Sequence, residues 1–358
     1  MNPETLRRTS LIAAPLALAV LAVAPEPSRA GVEKALPQEF DARLSVGHDS
    51  NLLDASDGER ASFASHDPKS FFVVSSMSDQ FVEGEIRGVW RLRHFLAGRP
   101  SLRLGYLHRQ YLDNPIKSGD HYALEAQARP AARTRVDVGL DFQPQIYGRH
   151  RRNNNALPGE PLFRPEVQRR SDGSADVTQG IGGSTSLKAG IEGSVRDYQA
   201  PFEARDRRLL GGSAAVSQSL PLGWRIGLGG GYRWTRSRND PASPVDLSNR
   251  EWTLSGRLKA ASDRLAAALE VDLEIGWRHY TSSDPADVTH FGRDDRVAGV
   301  SVALTRELAG SLASVTRFTR GLRTANIPVG SSDDEAFSDA EIQTGILWSQ
   351  SAAKGTAP

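Results

Sequence analysis

The sequence predicts an all-β chain, a transmembrane antiparallel up-and-down β-barrel of about 14 strands within a range of about 12 to 16. Three observations predict this fold. Apolar and polar residues alternate with a period of two over many segments of strand length, long polar loops largely alternate with short turns, and tryptophans collect at the ends of the predicted strands.

The clearest alternation lies in residues 249–280, where two amphipathic runs flank a short polar turn. One face of each run is apolar and the other is charged, which does not suit the inner face of a soluble sandwich. A strand of about 9 to 11 residues that crosses a bilayer places its apolar side in lipid and its polar side in a wet lumen. A large antiparallel sheet with one solvated face is the alternative. The predicted lumen-lining residues are Arg225, Arg233, Arg257, Lys259, Glu270, Asp272 and Glu274.

Composition excludes several classes of protein. The mean hydropathy is −0.42, and outside the N-terminus no apolar run approaches the roughly 20 residues of a membrane-spanning helix. The formal net charge of +1 gives no support to nucleic-acid binding. The absence of cysteine excludes disulfides, thiol catalysis and a lipid-modified N-terminal cysteine. Without a zinc spacing, a phosphate-binding loop or a nucleophile elbow, the sequence predicts no metal site and no cofactor.

The N-terminus has the pattern of a secretory signal peptide. Arg7 and Arg8 precede an apolar stretch at 11–24, and the small-x-small sequence Ser28-Arg29-Ala30 follows. An uncleaved anchor helix is the alternative, but the apolar stretch is short for a span. We therefore expect a cleaved signal peptide at 1–30, a barrel at 31–350 and a polar tail at 351–358. Export combined with amphipathic strands predicts the outer membrane of a Gram-negative-type cell.

The connections and the tryptophans predict the orientation. Barrels of this kind have short periplasmic turns and longer extracellular loops. We expect the longest loop at 148–173, and a strand extension at 71–77 beyond the bilayer. Because aromatic residues favour the membrane interfaces, the tryptophans should form girdles on the apolar face. The predicted girdle residues are Trp90, Trp224 and Trp348 at the periplasmic ends, and Trp234, Trp252 and Trp277 at the extracellular ends.

On these patterns, nearly the whole chain after the signal resembles the large class of outer-membrane β-barrels. The strand Gln343–Trp348 is similar to their terminal assembly signal, although a polar tail replaces the usual final aromatic residue. The stretch Ser45–Leu53 resembles a strand opening found in porin-like barrels and in the barrel parts of lipoprotein-surface modifiers and polysaccharide exporters. The resemblance implies outer-membrane lipid, lipopolysaccharide and the barrel-assembly machinery as partners, and no nucleic acid.

One short motif raises the possibility of an enzyme. His48-Asp49-Ser50-Asn51 looks like the His-x-Ser-Asn signature of outer-membrane phospholipases and lipid deacylases, in which His48 would be the base and Ser50 the nucleophile. No glycine follows Asn51, and polar residues commonly end a strand. We predict that the chain is not an enzyme, with a rim acyl hydrolase as the alternative.

Six basic residues cluster in the predicted long loop: Arg149, His150, Arg151, Arg152, Arg169 and Arg170. Three interpretations stay open: binding of lipopolysaccharide phosphates, an anion-attracting constriction, or a solvated loop. The mixed signs of the lumen residues favour a salt-bridged, water-filled lumen. The sequence predicts a pore or export channel for a small polar solute or glycan, and a non-conducting barrel that supports a secretion or assembly partner is a further alternative.

Overall fold

We describe the fold from a computed structural model, in which residues 37–65, 73–92, 100–153, 157–238, 246–262, 265–287, 289–326 and 336–351 are described. The predicted signal peptide and most of the predicted tail lie outside the described residues. All strands belong to one compact unit that begins at Glu39. Among the described residues, no helix is long and apolar enough to cross a bilayer.

Fourteen strands and one α-helix make up the described unit. The strands are β1 (Glu39–Asp49), β2 (Asp79–Arg91), β3 (Ser101–Tyr111), β4 (Gly119–Ala131), β5 (Thr134–Arg152), β6 (Phe163–Ile181), β7 (Thr185–Tyr198), β8 (Arg207–Ser219), β9 (Arg225–Ser237), β10 (Asn249–Ser262), β11 (Ala267–Tyr280), β12 (Asp294–Ala309), β13 (Leu312–Asn326) and β14 (Phe337–Ser351), and the helix is α1 (Asp57–Ala64).

The strands close into a barrel in which every strand pairs antiparallel with its sequence neighbours. The first and last strands complete the ring, with Glu39 opposite Ser351 and Asp49 opposite Glu341. Closure satisfies the backbone hydrogen bonds of both edges, which lipid cannot do. The predicted 14-stranded up-and-down barrel is therefore confirmed.

The two faces of the wall differ in chemistry as the period-two pattern requires. On β1, Leu44 is 63% exposed on the outer face, whereas Glu83 on the inner face of β2 is 2% exposed. Trp224, immediately before β9, and Trp234 on the outer face of β9 are ten residues apart. At about 3.3 Å per residue and a tilt of about 40°, that separation spans about 25 Å, the height of the apolar belt of such barrels.

The two ends of the barrel differ in the length of their connections. We call the end at which β1, β3, β5, β7, β9, β11 and β13 finish the loop end. The opposite end, at which β2, β4, β6, β8, β10 and β12 finish, is the turn end. The turn end also carries Glu39 and Ser351, where the first strand starts and the last strand finishes.

Two predictions about the loop end were wrong. The segment predicted as the longest loop is largely strand, because β5 continues to Arg152 and β6 begins at Phe163. Two register shifts, between Gln143 and Ile146 and between Tyr147 and His150, carry β5 past the barrel rim. Beyond the bilayer the outer face of a strand does not contact lipid and need not be apolar. This extension therefore lacks the apolar–polar alternation of the other strands.

The predicted extension at 71–77 is also not a strand. Residues 71 and 72 lie outside the described residues, and the chain from Val73 to Ser78 is irregular. Val74 and Met77 instead pack in a buried cluster with Leu53, Tyr147 and Val167. This apolar cluster joins the 50–78 connection to the β5–β6 hairpin, so the apolar character of the segment comes from loop packing.

Hydrogen bonds hold residues 51–59 of the connection between β1 and β2. Ser56 and Glu59 form a reciprocal capping box at the start of α1. The Asn51 side chain bonds to the backbone of Ala55 and, 3.0 Å away, to the carbonyl of Ser338 on β14. Arg149 donates to the Leu53 carbonyl at 3.0 Å and pairs with Glu59. The connection is thereby tied to β5 and β14 at the loop end.

Asp54 in this connection and Lys117 in the 112–118 loop interact electrostatically. Partial desolvation raises the pKa of Asp54 and lowers the pKa of Lys117, and the attraction between the two groups opposes both shifts. The Lys117 ammonium donates to the Tyr147 carbonyl at 3.0 Å. These contacts attach the short 112–118 loop to the longer β5 strand.

Candidate functional site

The lumen contains a cavity of about 1330 Å³, bordered by inward side chains of β4 to β13. Six of the seven sequence-predicted lumen residues border it: Arg225, Arg233, Arg257, Lys259, Asp272 and Glu274. The seventh, Glu270, lies on the same face of β11 as Asp272 and forms an ion pair with Lys259 at 2.8 Å. Glycines at 227, 229 and 231 also border the cavity, and a Cβ at 229 or 231 would lie about 2.9 Å from a hydroxyl oxygen of β10.

Cross-strand ion pairs neutralise most of these charges. Arg257 Nε lies 2.5 Å from Asp272 Oδ1 on the neighbouring strand. Arg233 Nε lies 2.6 Å from Glu192 and its Nη1 lies 3.4 Å from Glu251. Opposite charges in register stabilise neighbouring strands. This part of the lumen is polar and is lined by charges of both signs, with more basic than acidic side chains.

The wall formed by β14, β1, β2 and β3 contains a second network that the sequence did not reveal. The Glu83 carboxylate accepts from Arg43 at 2.8 Å, from Arg109 at 2.8 and 2.9 Å, and from the Gln343 amide at 2.6 Å. Arg109 also pairs with Glu341 at 2.7 Å. Because four strands contribute to it, this network stabilises the seam where the barrel closes. We call Arg43, Glu83, Arg109, Glu341 and Gln343 the closure network.

A row of three arginines crosses the lumen wall nearer the loop end. Arg170 on β6 is opposite Arg196 on β7, which is opposite Arg207 on β8. Each lies on the same strand face as a cavity-bordering residue further down: Asp176, Glu192 and Ser213 respectively. We call Arg170, Arg196 and Arg207 the arginine row. Its members therefore face the lumen.

Among the described residues, the three guanidinium groups of the arginine row share one carboxylate partner, Asp172. Arg170 Nε lies 2.6 Å from Asp172. Within the described part of the chain, Arg196 and Arg207 form no ion pair, and the buried Nε of Arg207 has no hydrogen-bond partner. Like charges in direct register destabilise a sheet. Two unpaired guanidinium groups beside a third form a surface complementary to an anion.

The six basic residues predicted as a loop cluster are dispersed by the extended hairpin. Arg149 pairs with Glu59, Arg151 pairs with Glu166, and Arg169 pairs with Asp197 at 2.6 Å. His150 contacts the Tyr147 hydroxyl at 2.7 Å, and Arg152 ends β5. Of the six, only Arg170 belongs to the arginine row. The sequence did not reveal this row, because it does not show which residues of β6, β7 and β8 lie opposite one another.

The residues of the alternative rim hydrolase, His48 and Ser50, have separate surroundings. His48 is exposed on the outer face of β1, in phase with Leu44 and Val46. The Ser50 hydroxyl accepts from the backbone N–H of Ala340 at 2.7 Å. Asp49 accepts from Tyr111, and no hydrogen bond joins His48 to Ser50 among the described residues. In the same ranges, no three His, Cys, Asp or Glu side chains converge as metal ligands would.

Three of the six tryptophans lie near the turn end and three lie near the loop end. Trp348 is in register with Ala42 and Leu312 near the turn end. Trp252 and Trp277 are cross-strand partners near the loop end, and the Trp252 ring lies 4.5 Å from that of Tyr232. Trp90 and Trp224 also lie at the turn end, and Trp234 at the loop end.

A closed antiparallel barrel with an apolar outer face and a charged lumen satisfies every backbone group within lipid. This chain is a β-barrel of the outer-membrane type. No protein-family model and no curated protein sequence matches it.

Solved outer-membrane barrels resemble it over most of its length. An anion-selective porin from Comamonas acidovorans is 8% identical with a TM-score of 0.38, and the match covers 87% of this chain and 98% of the porin. The channel DcaP of Acinetobacter baumannii is 10% identical with a TM-score of 0.43, and the match covers 92% and 100%. OmpT of Vibrio cholerae is 9% identical with a TM-score of 0.44, and the match covers 87% and 98%.

Proposed function

We propose that the protein is a passive channel of the Gram-negative outer membrane that favours small anionic solutes. The observation that supports this most directly is the arginine row on the lumen wall, where three guanidinium groups lie side by side and Arg170 alone forms an ion pair among the described residues. The loop end would face the outside, since extracellular loops are the longer ones. The signal peptide predicted at 1–30 would direct export.

Electrostatics favours an anion over a neutral cargo. A lumen with low-dielectric walls concentrates the potential of its unpaired charges and raises the local concentration of counterions. Rings of arginine or lysine serve this purpose in anion pores. Guanidinium groups bind carboxylate and phosphate in a bidentate geometry. Of the two cargo classes open from the sequence, the unpaired Arg196 and Arg207 support a small anion over a glycan.

Planar-bilayer recording tests the channel and its preference separately. Purified protein should give stepwise conductance, and a KCl gradient should give a reversal potential of the sign expected for chloride. Arg196→Gln combined with Arg207→Gln should move that potential toward zero while conductance persists. Arg169→Gln is the matched control, because Arg169 adjoins Arg170 in sequence but pairs with Asp197 on the outer face.

Each outcome has a defined meaning. A correctly folded barrel that never conducts would refute the channel and support the alternative of a non-conducting structural barrel. Conductance without anion preference, or a preference that survives both substitutions, would refute the role of the arginine row and leave the channel intact. Folding of every variant is checked by the shift in gel mobility between heated and unheated samples.

A further inference from the structure

Three neighbouring strands repeat one pattern on the outer face at the loop end: a cationic or titratable side chain lies two residues beyond a tryptophan. The pairs are Trp234 with Arg236 on β9, Trp252 with Arg250 on β10, and Trp277 with His279 on β11. Residues two apart on a strand share a face. Each basic side chain therefore lies on the lipid-facing side, just beyond the aromatic girdle.

The pattern extends into a continuous band through the strand register. Arg208 on β8 is opposite Arg236, and Arg250 is opposite both Trp234 and His279. Arg296 on β12 is opposite Trp277, diagonal to His279. We call Arg208, Arg236, Arg250, His279 and Arg296 the outer basic band. It crosses five consecutive strands.

The charges of this band are almost unneutralised. His279 contacts Asp294 at 2.7 Å. The four arginines are exposed and form no ion pair with any described residue. At the turn end, the residues two positions beyond Trp90, Trp224 and Trp348 are Leu92, Leu222 and Gln350. A basic residue therefore lies two positions beyond each loop-end tryptophan, and no basic residue lies two positions beyond a turn-end tryptophan.

We infer that the outer basic band binds the phosphate groups of a lipopolysaccharide in the outer leaflet. Two residues of strand advance about 7 Å, so the guanidinium groups lie about one headgroup layer beyond tryptophans that mark the interface. An arginine that faces lipid needs an anion at that height, and guanidinium groups bind phosphate in a bidentate geometry. A phosphorylated glycolipid confined to one leaflet also matches the difference between the two ends.

Binding of lipid A to the detergent-solubilised full-length barrel tests this assignment. We expect Arg236→Gln and Arg250→Gln each to weaken binding of bisphosphorylated lipid A about fivefold, and together about 25-fold, from about 1 kcal/mol per basic residue at an anionic lipid surface. Arg103→Gln is the control. Arg103 lies on the lumen face of β3, where it pairs with Glu125 at 2.8 Å and does not contact lipid, so its substitution should leave the affinity for lipid A unchanged.

Two further measurements separate the chemistry of the ligand from its source. Dephosphorylated lipid A should bind the wild-type barrel as weakly as the double variant binds the bisphosphorylated form, and inorganic phosphate should not compete at millimolar concentration. Equal binding of phosphorylated and dephosphorylated lipid A to the wild type would refute the inference even if a variant failed to fold. Undiminished binding to the folded double variant would refute it as well.

Discussion

Val271 and Asp272 are adjacent on β11 and lie on opposite faces of the wall. Val271 is in register with Leu258 and Val302, whereas Asp272 is in register with Arg257 and Ser301. Val271 is six residues from the girdle residue Trp277, about 15 Å along the membrane normal for a strand tilted by about 40°. That distance places Val271 near the midplane. Substituting arginine at each position in turn tests the assignment of the faces.

The expected costs differ in origin and in size. Val271→Arg places a guanidinium group in the hydrocarbon core and should cost about 2 to 4 kcal/mol of the free energy of unfolding. Asp272→Arg loses an ion pair with Arg257 whose side chains are 58% and 37% exposed. Such exposed pairs contribute about 0.2 to 1 kcal/mol, and the new like-charge pair costs a similar amount. We expect about 1 kcal/mol in total at Asp272.

Urea unfolding in phospholipid vesicles, followed by tryptophan fluorescence, measures both costs. Asp272→Asn separates loss of the ion pair from the added repulsion, and it should lie between the wild type and Asp272→Arg. Equal costs at Val271 and Asp272, or a larger cost at Asp272, would refute the assignment of lipid to one face and water to the other.

The remaining predictions concern the closure network, the topology and the absence of catalysis. Glu83→Gln should cost about 3 kcal/mol in the same unfolding assay, because it removes the charge that two arginines share at a buried site, whereas Glu125→Gln in an exposed pair should cost under about 1 kcal/mol. In this cysteine-free chain, Leu157→Cys at the loop end should react with an impermeant maleimide on intact cells and Gly183→Cys at the turn end should not; the reverse result would invert the orientation. Purified protein should not hydrolyse phospholipid or lipid A, and hydrolysis that Ser50→Ala abolishes would establish the rim hydrolase instead.

The parts of the fold that the sequence predicts are those where lipid and water act on opposite faces of one strand. From Trp252 to Ala260 on β10 and from Leu269 to Trp277 on β11, the lipid-facing residues are apolar and the lumen-facing residues are polar except for Gly276. Beyond the rim, both faces meet water or protein. There β5 continues to Arg152 with two register shifts, and the sequence pattern is that of a loop.

The closure network was missed for a different reason. Glu83, Arg109 and Glu341 are separated by 26 and 232 residues along the chain, and they meet because β2, β3, β1 and β14 are neighbours in the closed ring. Nothing in a single sequence reports which charge on one strand lies opposite which charge on the next. The signal in the sequence is limited to an inward charge on each of these four strands.

Arg207 and Arg208 show how register turns one dipeptide into two different surfaces. Successive residues of a strand point to opposite faces. Arg207 lies opposite Arg196 and completes the arginine row in the lumen, while Arg208 lies opposite Arg236 and begins the outer basic band. A shift of one residue in the pairing of β8 would exchange the two roles and bring Leu210 and Val216 into the lumen. The apolar residues of β8 therefore determine which arginine faces the solute and which faces the lipid headgroups.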